Sequence, residues 1–376
     1  MTLHSQSKQL CLLVKPAGPD CNLRCPYCFY SCKSSLFPDN PHRMSDEVLD
    51  KLISSCLRLN HPLTCFTWQG GEPTLMGLEF YQKVIDAQNK YCQDGSMIGN
   101  ALQTNGILLD DKWCEFLGRF NWLVGISLDG PREYHDFYRR DGAGNGTFER
   151  VMGAIDTRRR HKVEFNILVL LNDKNVTAAD ELFEFFAAEK VKFLQFIPCV
   201  EIYPIAGKIA PFSITPQQYG DFLCKTFDLW WNYGPEKMSI RTFDSVMNYV
   251  ITGRHTECTF NHFCDDYIVV EYNGDAFCCD FFVDEQHRLG NILETPVERL
   301  CNCSLKQNFA CKKSHFSNKC LVCRHNAICR GGCIKHRIIP NSPDVQPGYF
   351  CQAYKQFFDY AVPRLSALAA KAYKRN

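Results

Sequence analysis

The chain has no excess of either charge: Lys and Arg total 42, Asp and Glu 41, in 376 residues. Without a basic surplus there is no general electrostatic pull toward DNA, RNA or anionic lipid. Long apolar runs are also missing. Stretches such as 167–171 fall far short of the roughly 20 residues that span a bilayer. The opening MTLHSQSKQL contains no cationic segment followed by an apolar one, so no secretory leader is expected. There is no internal repeat and no low-complexity linker. These absences point to a soluble cytoplasmic chain with no membrane or nucleic-acid partner. A composition of 45% hydrophobic and 22% charged residues is ordinary for such a protein. The length allows one large domain with a smaller one attached.

What the sequence has in abundance is cysteine, 23 in all. Disulfide frameworks belong to secreted chains, and nothing here directs secretion. The odd count and clustered spacing suit metal ligands better. In a reducing cytoplasm these thiolates would bind iron or zinc. Iron–sulfur clusters are lost to oxygen, so an anaerobic setting is expected.

Up to about residue 200 short apolar runs alternate with helical periodicity. Expected strands are 10–15, 64–69, 98–104, 122–127, 163–171 and 193–198; expected helices are 46–59, 78–91, 110–120, 147–160 and 177–189. That alternation implies an α/β fold, a parallel sheet with crossover helices. Six units make a partial, barrel-like (β/α)6 sheet rather than the eight of a closed barrel. After about residue 235 cysteines crowd into 258–351 and long helices are expected to disappear. This reads as a module held by metal rather than by a large apolar core. The expected domains are therefore 1–235, 236–352, and a terminal helix 353–376. That helix would place Phe357, Phe358, Ala361, Leu365 and Leu368 on one face.

The run CNLRCPYCFY follows directly on the first expected strand and spaces Cys21, Cys25 and Cys28 as CxxxCxxC. Three thiolates at this spacing can wrap a corner of a four-iron cluster and leave one iron without a protein ligand. An open metal position invites a substrate, as in catalytic zinc sites. A zinc site, or plain buried cysteines, would explain an isolated triplet equally well, and Cys32 could supply a fourth ligand. The aromatic neighbours Tyr27, Phe29 and Tyr30 can shield a cluster and pack on a nucleoside.

With an aromatic before its third cysteine, this triplet resembles the signature of the radical S-adenosylmethionine (SAM) superfamily. The resemblance implies a 4Fe-4S cluster whose open iron is chelated by SAM, in a partial (β/α)6 TIM-like barrel. Further motifs follow expected strands, where parallel α/β proteins collect their chemistry. Gln69-Gly70-Gly71-Glu72-Pro73 follows the second strand; Gly70, Gly71 and Glu72 match the family's GGEP, which contacts the SAM amino group. Ser127 ends the fourth strand and Arg139 follows. Read by themselves they are a capping serine and a solvated arginine, or holders of a ribose hydroxyl and a carboxylate. Val200 corresponds to the family position beside the adenine.

The C-terminal cysteines run Cys264, nine residues, Gly274, four residues, Cys279, then Cys320, Cys323, Cys329 and Cys333 as CxxCx5CxxxC, then Cys351. This resembles the seven-cysteine SPASM module of radical SAM peptide-modifying enzymes, with Cys258 as an eighth. CxxC pairs are also common in zinc ribbons. Eight thiolates can fully ligate two 4Fe-4S clusters. The resemblance implies Cys258, Cys264, Cys279 and Cys333 on one and Cys320, Cys323, Cys329 and Cys351 on the other, three clusters in total. Cys278 adjoins Cys279, but the Gly274 spacing favours Cys279. Cys301, Cys303 and Cys311 fit no cluster position.

Asp280 follows Cys279 in the segment FCCDFF. A carboxylate there is either a turn cap or a base. From LVKPAGPDCNLRCPYCFY through FTWQGGEPTL, LQTNG, VGISLDGP and CDFF to YCQAYKQFF, the whole chain resembles the anaerobic sulfatase-maturating enzymes. That resemblance implies oxidation of a Cys or Ser in a CxPxR- or SxPxR-type segment of an unfolded or nascent sulfatase to Cα-formylglycine. A 5′-deoxyadenosyl radical would take a β-hydrogen, Asp280 would take the thiol or hydroxyl proton, and the auxiliary clusters would carry off the second electron. Gln69 and Tyr30 would line the substrate site, and a flavodoxin or ferredoxin would serve as reductant. A thioether-forming relative in the same branch would share the clusters without needing this Asp. A non-catalytic iron–sulfur or zinc protein would need neither GGEP nor Ser127.

Overall fold

The computed structural model describes residues 9–38, 41–202, 208–337 and 346–373. The opening 1–8, read above for a leader, and the helix tail 374–376 lie outside them. The strands are β1 Gln9–Lys15, β2 Leu63–Trp68, β3 Met97–Thr104, β4 Leu123–Ser127, β5 Phe165–Leu171, β6 Phe193–Pro198, β7 Ser239–Ile240, β8 Ile268–Glu271, β9 Asp275–Phe277 and β10 Arg288–Asn291. The six expected strands are all present, each within two residues of its expected ends. The five expected helices are equally close, at Asp46–Leu57, Gly77–Tyr91, Asp111–Arg119, Phe148–Arg160 and Ala179–Ala188.

Two compact units interleave in sequence. The first comprises residues up to 127, 138–165 and 265–310; the second comprises 128–137, 166–264 and the residues from 311 on.

In the first unit the strand order is β10-β9-β8-β1-β2-β3-β4. Strands β1 to β4 are parallel neighbours. One face of each alternates into the core: Leu12 and Val14, Phe66 and Trp68, then Val124 and Ile126, all essentially buried. Trp68 meets Tyr81 edge-on at 5.8 Å, and Tyr81 belongs to the helix between β2 and β3. Capping fixes where helices begin. Ser45 accepts from Val48 N at 3.2 Å and Asp110 from Trp113 N at 2.9 Å. The sequence did not indicate that β8 pairs in parallel with β1, in register Lys15 to Glu271. This pairing brings the segment carrying Cys279 and Asp280 onto the same sheet as the first cysteine motif.

In the second unit β5, β6 and β7 are parallel. The long helix Pro216–Tyr233 starts at a Thr215/Gln218 capping box with Pro216 in its first turn. Helix Arg241–Thr252 corrects the expectation that long helices stop near 235. The C-terminal helix Cys351–Tyr373 begins on a cysteine and continues through Pro363. Phe357, Phe358, Ala361 and Leu365 are buried as expected, with Phe357 against Phe227 and Phe243. Leu368 is 37% exposed: it lies one step off the stripe, whose last turn is closed by Ala369. No described helix is long and apolar enough to cross a membrane.

Candidate functional site

Strand β1 ends at Lys15 and the chain turns at once. Gly18 N donates to Lys15 O and Asp20 N to Ala17 O, both at 3.1 Å. The next stretch carries the cysteine triplet. Cys28 N bonds to Cys25 O at 3.0 Å, closing the CxxC turn. Burial pushes the Cys21 thiol up to about 12, and the neighbouring Cys25 and Cys28 sulfurs push it the same way. A cation beside these sulfurs would favour the thiolate form. Cys32 is exposed and its thiol donates to Phe29 O at 3.3 Å. Tyr27 is buried edge-on to Tyr138 at 5.4 Å, with the Arg139 guanidinium 5.9 Å from its ring centre. The structure thus joins two residues that the motifs named separately.

The loop after β2 is bolted onto this cysteine loop by backbone alone. Gly71 N donates to Gly18 O at 2.9 Å and Glu72 N to Asp20 O at 2.7 Å. A Cβ on Gly71 would lie 2.0 Å from Asp20 O, so no side chain fits between the two loops. Gly71→Ala is therefore expected to part the loops, costing roughly 1–3 kcal/mol by overpacking. A fall in melting temperature together with weakened SAM binding in calorimetry would show it. The Glu72 carboxylate is fully buried and accepts from Thr74 Oγ1 at 2.5 Å, Thr104 Oγ1 at 2.7 Å and Asn105 N at 2.8 Å. Burial raises its pKa against these donors. Asn105, which the motif reading did not single out, donates to Asn22 at 2.7 Å and lies 3.9 Å from Cys21 Sγ. Ser127 is the last residue of β4 and half-buried. Val200 lies beyond β6 in the second unit and is buried.

Asp280 sits at the centre of a polar cluster in the first unit. Its carboxylate pairs with the Lys15 ammonium and accepts from Gln69 Nε2 at 3.0 Å. The Lys15 ammonium lies 3.4 Å from the centre of the Tyr30 ring. The Tyr30 hydroxyl reaches both Glu271 oxygens, at 2.6 and 2.7 Å. Lys15, Tyr30 and Glu271 are at most 1% exposed. Phe29 and Phe281, with ring centres 4.8 Å apart, are neighbours of the two sequence segments involved. Cys279 Sγ is 3.5 Å from the Tyr267 hydroxyl. The motifs therefore indicated Gln69, Tyr30 and Asp280, which the fold brings together, and missed Lys15 and Glu271. A signal was present: two apolar strands, LLVK and IVVE, each end in a charge, of opposite sign.

Burial pushes the Glu271 carboxyl up to about 7, against the opposing pull of Lys15 and the Tyr30 hydroxyl. The folded chain then holds a proton that the unfolded chain, titrating near 4.5, has released. The proton's stabilising effect is complete below pH 4.5 and is lost as pH rises toward 7. The slope is about 1.4 kcal/mol per pH unit in that window. Glu271→Gln is expected to flatten the slope, as read by denaturant unfolding at pH 5, 6 and 7.

The auxiliary cysteines divide by unit. Cys258, Cys264 and Cys333 belong to the second and Cys279 to the first. Cys320, Cys323, Cys329 and Cys351 all belong to the second and line one pocket, with His325, Asn326 and Phe358. Burial pushes the Cys329 thiol up to about 12, and Cys351, Cys320 and Cys323 act on it in the same direction. Among the described residues no three His, Cys, Asp or Glu side chains come close enough to share one ion. Four thiols around one pocket are a donor set that suits a 4Fe-4S cluster, and a zinc ion equally. No disulfide joins cysteines among the described residues. The set Cys320, Cys323, Cys329 and Cys351 suits a cluster of the kind that the motifs implied.

Residues 16–186 match the model of the Radical SAM superfamily. The chain is similar to a cysteine-type anaerobic sulfatase-maturating enzyme of Clostridium perfringens, 37% identical, with 96% of this chain and 98% of that one covered. It is equally similar to a serine-type anaerobic sulfatase-maturating enzyme of Bacteroides thetaiotaomicron, 37% identical, covering 95% and 90%. Among solved structures, native anSMEcpe with bound AdoMet and Cp18Cys peptide matches with a TM-score of 0.90 at 37% identity, covering 97% and 99%. The expected α/β radical SAM fold, with its cysteine-rich C-terminal region, is borne out by that match.

Proposed function

The chain belongs to the anaerobic sulfatase-maturating enzymes of the radical SAM superfamily, and from that membership we propose how its residues divide the work. It is a SAM-dependent, iron–sulfur oxidoreductase that converts a Cys or Ser of a sulfatase polypeptide to Cα-formylglycine. The observation that carries the site assignment is the Asp280 carboxylate, held by Lys15 and Gln69 next to Cys279.

We assign Cys21, Cys25 and Cys28 to the SAM cluster. Cys258, Cys264, Cys279 and Cys333 hold one auxiliary cluster, and Cys320, Cys323, Cys329 and Cys351 the other. When bound, these groups supply a hydrogen-abstracting radical and an outlet for the second electron. Gly70, Gly71 and Glu72 hold the loop that receives the SAM amino group. Tyr27, Ser127, Arg139 and Val200 complete the SAM site. Gln69 and Tyr30 orient the substrate side chain. Asp280 takes its thiol or hydroxyl proton, and Lys15 fixes that carboxylate and balances its charge. Loss of one hydrogen atom, one proton and one electron leaves a thioaldehyde from Cys, which water hydrolyses, or the aldehyde directly from Ser. Residues 1–235 act as the radical module, 236–352 as the auxiliary-cluster module and 353–376 as the closing helix. The substrate is an unfolded or nascent sulfatase in the cytoplasm, and a flavodoxin- or ferredoxin-type protein is the reductant.

The test is anaerobic incubation of reduced, reconstituted protein with SAM and a synthetic CxPxR-type peptide. Mass spectrometry should find the aldehyde, and iron analysis about twelve irons per chain. SAM cleavage with a thioether product, or none, would overturn the assignment.

A further inference from the structure

Two cations, Lys313 buried and Arg337 half-buried, lie among the auxiliary cysteines of the second unit. Lys313 is 1% exposed. Its three ammonium hydrogens are spent on the carbonyls of Cys258 at 3.1 Å, Thr259 at 2.7 Å and Gly332 at 2.8 Å. Arg337 donates to the carbonyls of Gly331 at 3.0 Å, Lys313 at 2.8 Å, His315 at 3.1 Å and Gly332 at 3.3 Å, and to that of Arg330. Neither forms an ion pair with a carboxylate among the described residues. The Arg337 charge acts on the Cys320, Cys264, Cys329 and Cys333 sulfurs, members of both ligand sets.

The backbone is shaped for this arrangement. Between Cys329 and Cys333, Arg330, Gly331 and Gly332 take successive left-handed conformations, with φ of 48°, 70° and 69°. All three carbonyls are bonded by Arg337, and that of Gly332 by Lys313 as well. A Cβ on Gly331 would lie 2.5 Å from Arg337 Nη2, so glycine is needed for the guanidinium to approach. A non-glycine residue in that region is costly and persists where its surroundings demand it.

Burying a cation without an anion is unfavourable. Dipoles alone offset part of that cost, and the remaining partner must be a negative charge. Four thiolates outweigh the positive charge of an iron–sulfide core, so a fully ligated cubane is anionic. We propose that Lys313 and Arg337 are the fixed counter-charges of the auxiliary clusters, stabilising their assembly and raising their reduction potentials. Adding an electron to an anionic site is easier beside a fixed positive charge shielded from water. This places both clusters where they can accept the electron left by substrate oxidation. The proposal rests on the ligand assignment made above.

The test uses the full chain with Cys21, Cys25 and Cys28 all changed to Ala, so that only auxiliary clusters remain. Into it go Lys313→Gln and Arg337→Gln, which remove charge, and Lys313→Arg and Arg337→Lys, which keep it. Iron content and potentiometric titration followed by electron paramagnetic resonance are the readouts. Expected are lower potentials in the Gln variants and near-parent potentials in the charge-keeping ones. Should the Gln variants fail to load iron, loading by the charge-keeping variants supports the proposal and equal failure by them overturns it. Fully loaded Gln variants with unchanged potentials also overturn it. A parent that never holds about eight irons would instead sink the ligand assignment itself, and this proposal with it.

Discussion

Asp280→Asn is expected to go on cleaving SAM at near the wild-type rate while aldehyde formation falls by about 10²–10⁴-fold, the range for loss of a positioned base. The substitution keeps the side-chain shape and a carbonyl oxygen for the Gln69 amide, which lies 3.0 Å from the present carboxylate. It removes the only atoms at that position able to hold the substrate proton. Lys15 loses one anionic neighbour but keeps the buried Glu271, whose ionisation it favours. The site should therefore stay assembled, and unchanged iron content and melting temperature would show that it has. On the assignment proposed above, radical formation belongs to the cysteine triplet and the loops that bind SAM. The hydrogen bond that Asp280 accepts from those loops, from Gln69, is kept by the asparagine carbonyl. The two activities should separate in one assay that counts 5′-deoxyadenosine by chromatography and aldehyde by mass spectrometry. Aldehyde at the wild-type rate would show that another group, or water, takes the proton.

That experiment turns on a cluster only half of which could be read from the sequence. Gln69, Tyr30 and Asp280 were legible because each adjoins a cysteine motif or the glycine turn, local patterns whose chemistry restricts their neighbours. Lys15 and Glu271 were not, because their partnership depends on β8 pairing with β1, a contact between residues more than 250 positions apart. Periodicity locates strands and says nothing about which strands become neighbours. The same distinction runs through the fold. The first six strands and five helices stand within two residues of expectation because each alternates or caps by its own sequence. Helix Pro216–Tyr233 had equally plain local signals in Thr215, Pro216 and Gln218 but lay past the region read for alternation. Helix Arg241–Thr252 was hidden by the cysteine density that follows it. Nothing in the sequence singled out Lys313 and Arg337, whose carbonyl partners include the left-handed run at Arg330-Gly331-Gly332, a conformation that no local pattern announced.

Cys25→Ala is expected to abolish SAM cleavage and aldehyde formation together and to lower the iron content by about four atoms. Cys32→Ala, seven residues later, is expected to change neither. The contrast follows from where the thiols stand. Cys25 carries the carbonyl that closes the turn to Cys28 and acts electrostatically on the Cys21 thiol. Burial pushes that thiol up to about 12. Without iron it stays protonated at neutral pH, and iron binding must displace the proton. Three thiolates share that cost across one cubane. With two, the cluster has two unprotected irons and is lost to solvent, so no partial activity should remain. Cys32 directs its thiol to the Phe29 carbonyl at 3.3 Å, so a methyl group in its place disturbs neither the turn nor the Cys21 sulfur. Iron loss in Cys32→Ala equal to that in Cys25→Ala would mean that four side chains saturate the metal, leaving no iron open to SAM. The radical mechanism would then have no starting point in this chain.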